Sequence, residues 1–99
     1  MKVRIKSIHF DATAQLESFI QKKVAKLEQH FDELTTAEVT LKVVKPETAN
    51  NKEASIQLKT KNADCYAEKI KDTFEEAIDE CIEALEKQLL KIKEKSRSK

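Results

Sequence analysis

Between Asp72 and Lys95 the chain places Phe74, Ile78, Cys81, Ile82, Leu85, Leu89 and Ile92 at three- and four-residue steps. That is the period of one buried stripe on a helix. No Gly or Pro interrupts the segment, and Asp72 with Glu75 three residues on reads as an N-cap with a capping box. A long amphipathic helix is thereby required, and the rest of the chain must supply an apolar surface to cover its stripe. The polar positions are segregated by sign. Asp72 to Glu86 carries seven carboxylates and no Lys or Arg, whereas Lys87 to Lys99 carries six cations against Glu94 alone. The sense suits the helix dipole, but the dipole acts only over the first and last turns and does not explain polarity spread along the whole helix.

The 99 residues make one domain, 1–99, with a single modest core. The basic tail from about residue 96 is expected to fray. Net charge is +1 although 37% of residues are charged, so affinity for nucleic acid has to come from where the charges sit. No apolar run approaches the ~20 residues that span a bilayer, and Met1 opens into a strand-like alternation rather than a signal sequence. A cytoplasmic protein without membrane contact is expected. Cys65 and Cys81 form no disulfide framework, and two His offer no zinc spacing; both thiols read as core residues, with no metal and no cofactor. The chain contains no Gly, which excludes a P-loop, a dinucleotide fingerprint, the usual nucleophile elbow and a KH module. His9 has no Ser, Cys or Asp partner placed by a motif and reads as a strand-end residue. No arrangement of side chains points to an enzyme or to a small-molecule substrate.

Val3 and Ile5 alternate with Lys2, Arg4 and Lys6, which predicts a first strand with one basic face. Asp11 or Thr13 can cap a first helix, whose apolar positions Leu16, Phe19, Ile20, Val24, Leu27, Phe31 and Leu34 carry it to near Leu34. Three strands follow. The first two centre on Val39, Leu41 and Val43 and on Ala54, Ile56 and Leu58; the third, near Asp64 to Ile70, is read with Cys65 and Ala67 inward. Pro46, Asn50 and Asn51 mark one hairpin connection and Asn62 with Asp64 the next, since Asn and Asp tolerate left-handed turn positions. Strand one is joined to strand two through a helix and pairs in parallel; short links make the later pairs antiparallel. The expected fold is α+β: a β-α-β-β-β-α two-layer sandwich with a four-stranded mixed sheet and both helices on its one apolar face.

Projected at about 100° per residue, Lys22, Lys23, Lys26 and His30 fall on one flank of the first helix and Glu17, Glu28 and Asp32 on the other. On the last helix Lys87, Lys91 and Lys95 form an i, i+4 row beside Gln88. If the two basic edges adjoin, they make a positive ridge with acidic flanks, which suits RNA; the alternative is an ordinary solvated surface.

Three stretches, Val24 to Phe31 (VAKLEQHF), Ala77-Ile78-Asp79, and Leu85-Glu86-Lys87-Gln88-Leu89 with Lys91, Lys93 and Lys95, together resemble the ribosome hibernation promoting factors and ribosome-associated translation inhibitors. The resemblance covers essentially the whole chain and the same element order. It implies binding to the small ribosomal subunit between head and body, in the space used by tRNA and messenger RNA, and reversible inhibition of translation under stress or in stationary phase. Lys26, Lys87, Lys91 and Lys95 match basic positions of the family, and Lys22, Lys23 and Gln88 join them from the projection as candidate contacts to ribosomal RNA. Family members commonly carry Asp-Met-Tyr before Ala-Ile-Asp, where this chain has Thr73, Phe74, Glu75 and Glu76, and Lys87 stands where Arg is frequent. The chain resembles the short form without the extra dimerisation domain, which implies a monomer off the ribosome. Two other readings stay open: a double-stranded-RNA-binding domain, disfavoured by the strand before the first helix and the acidic start of the last one, and a protein-interaction module using that acidic half.

Overall fold

The computed structural model describes residues 2–8, 10–31, 33–44, 50–61 and 63–97, with side chains described as far as residue 92. His9, Asp32, Pro46, Asn62, the side chain of Lys95 and the tail beyond residue 97 therefore lie outside the described residues. The element order is β1 (Lys2–Ile8), α1 (Ala14–His30), β2 (Leu34–Val43), β3 (Lys52–Thr60), β4 (Asp64–Lys71) and α2 (Phe74–Arg97). The sheet order is β1-β2-β3-β4. β1 runs parallel to β2, and both later pairs are antiparallel. This is the mixed sheet and the two-layer α+β arrangement expected from the sequence.

Alternation sets which side chains reach the core, because successive residues on a strand point to opposite faces. Ala37, Val39 and Leu41 of β2, Ala54, Ile56 and Leu58 of β3, and Cys65 and Ala67 of β4 are buried. They form one cluster with Ile20, Val24 and Leu27 of α1 and Ile78, Cys81, Leu85 and Leu89 of α2. Each large aliphatic so buried contributes about 1.5 to 3 kcal/mol. α2 packs on β3 and β4 and alongside α1, which leaves α1 to cover β1 and β2. Val3 and Ile5 on the edge strand β1 are only half-buried. The other face of the sheet is open, with Lys2, Arg4, Lys6, Lys59, Tyr66 and Glu68 exposed.

Local chemistry settles the element ends and corrects two expectations. α1 is capped by Thr13, whose Oγ1 accepts a hydrogen bond from the Leu16 N–H at 3.1 Å. It ends at His30, not near Leu34: Phe31 is extended (φ −135°, ψ 93°), its N–H donating to the Leu27 carbonyl, and Leu34 opens β2. Leu27, Phe31 and Leu34 keep helical spacing across this break, so periodicity alone runs the helix too far. Leu34 and Ala37 are both buried although they stand three positions apart, an odd offset that strict alternation would send to opposite faces. A register shift between Leu34 and Thr36 absorbs the extra residue, as a bulge does.

The cap of α2 is Thr73, not Asp72. Thr73 Oγ1 accepts from the Glu76 N–H at 3.1 Å, whereas Asp72 Oδ1 accepts from the Asn50 N–H at 2.7 Å. The aspartate is drawn off to the β2–β3 connection, where Asn50 takes a left-handed φ of 55°, the role expected of an Asn in a chain without Gly. Phe74, the first helical residue, stacks on Phe10 at 4.8 Å between ring centroids.

Candidate nucleic-acid interface

The Phe10–Phe74 stack joins the approach to α1 with the start of α2. Further along, Lys23 Nζ meets Asp79 Oδ1 at 3.0 Å. The helices therefore lie side by side with their N-termini at the same end of the molecule. In that register the lysines of α1 stand level with the acidic turns of α2. Lys87 lies eight residues beyond Asp79, about 12 Å further along at 1.5 Å per residue. The positive charge is thus staggered across the helical layer, from α1 towards the C-terminal half of α2.

Six of the seven expected contact residues have described side chains. Lys22, Lys26, Lys87 and Lys91 are exposed, and among the described residues none of them has a carboxylate partner within salt-bridge distance. Lys23 is different: it is half-buried, bonded to Asp79, and its ammonium lies 5.4 Å from the centroid of the Phe19 ring, within cation–π range. Gln88 is also engaged. Its Oε1 accepts from the Tyr66 N–H at 3.3 Å and its Nε2 donates to the Tyr66 carbonyl at 2.9 Å. Lys95 belongs to α2, with its side chain outside the described residues.

The angular positions show how the layer is divided. Asp79 and Gln88 are nine residues apart, half a revolution at about 100° per residue, so α2 turns one side to α1 and the opposite side to the edge of β4. Lys87 and Lys91 occupy the outward arc between those sides. On α1, Lys22 and Lys26 sit outward of Lys23. The Lys23–Asp79 pair occupies the seam between the two helices. Exposed lysines thus face outward on both helices.

Sequence reasoning did not foresee the Lys23–Asp79 or Gln88–Tyr66 contacts, and no local signal could reveal them, because each joins residues on different elements. The nearest approach to a warning was that Gln88 sits at the margin of the apolar stripe. On the open sheet face, Arg4, Glu38, Gln57 and Tyr66 stand in one cross-strand row. The Tyr66 hydroxyl donates to Glu68 Oε1 at 3.0 Å, and burial followed by the Glu68 bond raises the phenol above its ordinary value. Lys71, at the end of β4, bonds Glu80 Oε2 at 2.8 Å, which raises its ammonium pKa.

The thiols are core groups. Cys81 Sγ donates to the Ala54 carbonyl at 3.4 Å, and burial pushes its pKa up to about 11. Burial, then the neighbouring Asp64 carboxylate, raises Cys65 as well. Among the described residues there is no group of three or more His, Cys, Asp and Glu placed to hold a metal ion, and no helix is long and apolar enough to cross a membrane.

Residues 3–97 match the family described as Sigma 54 modulation protein / S30EA ribosomal protein. A ribosome hibernation promoting factor of Pseudomonas putida is 34% identical over 98 residues, covering 99% of this chain and 92% of that protein. The factor of the same name from Azotobacter vinelandii is 31% identical over an alignment of 100 residues, covering 96% of this chain and 85% of its own. Among solved structures, a ribosomal subunit interface protein from Coxiella burnetii superposes with a TM-score of 0.80 at 20% identity, covering 94% of this chain and 98% of that one. The N-terminal domain of Thermus thermophilus Protein Y gives 0.80 at 23% identity, covering 93% and 99%. At these identities the two structures speak to the fold alone. Matched along nearly its whole length both to the family and to relatives of more than 30% identity, the chain belongs to the Sigma 54 modulation protein / S30EA ribosomal protein family, in which its curated relatives are ribosome hibernation promoting factors.

Proposed function

We propose that this chain is a ribosome hibernation factor that binds the small ribosomal subunit in the channel used by tRNA and messenger RNA, and reversibly inhibits translation under stress or in stationary phase. Its partner is ribosomal RNA, met by the outward amines of Lys22, Lys26, Lys87 and Lys91 and extended by Lys95. The protein acts in the cytoplasm, as a monomer when off the ribosome. It works by occupancy: it fills the channel and changes no bond. The observation that carries this reading is the set of exposed lysines on the outward arcs of both helices, without a carboxylate partner among the described residues, in a chain whose relatives are named for ribosome hibernation. Amines on neighbouring helices can neutralise several phosphates at once, and most of the affinity then comes from released counterions.

Replacing Lys87, Lys91 and Lys95 by Glu tests the surface. The variant is expected to keep the far-ultraviolet circular dichroism of the wild type and to lose co-sedimentation with small subunits. Wild-type affinity should fall with salt by about 0.7 to 0.9 log units per log unit for each phosphate neutralised. A triple variant that still pellets with ribosomes removes the helical layer as the binding surface. Loss of binding on replacing carboxylates of the acidic half of α2, with the lysine variant unaffected, would point instead to a protein-interaction module.

A further inference from the structure

β4 is an edge strand. An edge presents unpaired backbone N–H and C=O groups and invites pairing with another chain unless something covers it. On β4 the groups of Tyr66 point away from β3, because backbone groups alternate direction along a strand in an antiparallel sheet. Both meet Gln88, whose carboxamide accepts from the N–H at 3.3 Å and donates to the carbonyl at 2.9 Å. A carboxamide carries the same donor and acceptor as a peptide group. Gln88 therefore stands at Tyr66 as the peptide of a fifth strand would.

The same bond constrains α2. Its apolar stripe sets which face of the helix meets the sheet, and directional polar contacts add to that limit on rotation about the helix axis. Two polar ties oppose that rotation from opposite sides: Asp79 holds Lys23 of α1, and Gln88 holds β4. Lys87 and Lys91 lie on the arc between the ties.

We propose that Gln88 is a positioning residue that covers the free edge of β4 at Tyr66 and fixes the rotation at which α2 presents Lys87 and Lys91. The consequence for RNA binding rests on the ribosome reading above; the clamp on Tyr66 does not. Gln88 acts on the partner through its neighbours, and its own amide is spent on the strand.

The test uses the full chain with Gln88→Met, which keeps length and stem packing but removes both hydrogen bonds. Amide exchange by NMR on the free protein should quicken at Tyr66 by about tenfold, the scale set by a hydrogen bond's net contribution, with Cys65 and Ala67 unchanged. Affinity for small subunits should fall several-fold at every salt concentration while the salt slope stays that of the wild type. Lys87→Gln, by contrast, should lower the slope by about 0.7 to 0.9. Tyr66→Pro removes the same N–H from the strand side, at an edge position where proline is tolerated. It should weaken binding as Gln88→Met does, and the double variant should lose no more than either alone. Unchanged exchange at Tyr66 overturns the clamp. Faster exchange with unaltered affinity, or additive losses in the double variant, overturns the positioning role and leaves Gln88 as a plain edge cover or a direct contact. A wild-type protein that does not bind subunits at all sinks the ribosome reading, while the exchange result still decides the clamp.

Discussion

Leu85 has 0% of its surface exposed and lies mid-stripe on α2 over β3 and β4, so its truncation leaves a cavity that close-packed neighbours fill only in part. Leu85→Ala is expected to cost about 2 to 5 kcal/mol in denaturant unfolding. Glu86→Ala, one residue on and exposed, is expected to change stability by less than about 0.5 kcal/mol. Equal effects from the two would mean that the helix docks on another face. Cys81 gives a prediction in pH. Burial holds its thiol protonated in the folded protein up to about 11, while in the unfolded chain it ionises near its ordinary value of 9.0. Between about 9 and about 11 the unfolded state binds fewer protons, so this group's contribution to stability is present below that window and is lost as pH rises through it. Chemical unfolding of the wild type and of Cys81→Ala over that range should show a steeper decline for the wild type. Parallel curves would place the thiol in contact with solvent.

Among the elements, the helix starts test how capping is divided between neighbours. Thr73→Ala should cost about 1 kcal/mol, since its hydroxyl satisfies an otherwise orphaned N–H of α2. Asp72→Ala should instead loosen the β2–β3 connection through the Asn50 N–H, with faster amide exchange at Asn50 and protection at Glu76 retained. The reverse pattern would restore Asp72 as the cap. Much of this level was legible in the sequence: the stripe from Phe74 to Leu89, the inward phase of Cys65 and Ala67, and the alternating faces of β2 and β3 all follow from side-chain period. The end of α1 was not legible. Leu27, Phe31 and Leu34 satisfy a helix and a strand start equally well, and the choice depends on the pairing of Leu34 with Thr60 across β2 and β3. Nor could the sequence distinguish Asp72 from Thr73 as cap, because both are good acceptors and only the position of Asn50 removes one of them.

The whole molecule is elongated, 51 × 23 × 16 Å along its principal axes, with one face of helices and one open sheet face. If such a body fills the decoding channel, its binding is competitive. Small subunits pre-loaded with messenger and initiator tRNA should take it up slowly or not at all, and washing in high salt should restore full activity with ribosomal RNA intact. Simultaneous binding with tRNA and messenger would place it elsewhere on the ribosome, and lasting RNA damage would mean catalysis. What the sequence by itself determined was the set of elements, their order, the buried face of each and the segregation of charge along α2, because those depend on local period and on residues near one another in the chain. Only the tertiary structure decided which lysines face outward. Lys23 is withdrawn into the seam with Asp79, 56 residues away, and Gln88 is turned to the β4 edge 22 residues before it. A helix has a polar arc wide enough to place any of these side chains at the surface, and which part of that arc meets a neighbour is set by how the two helices and the sheet pack together.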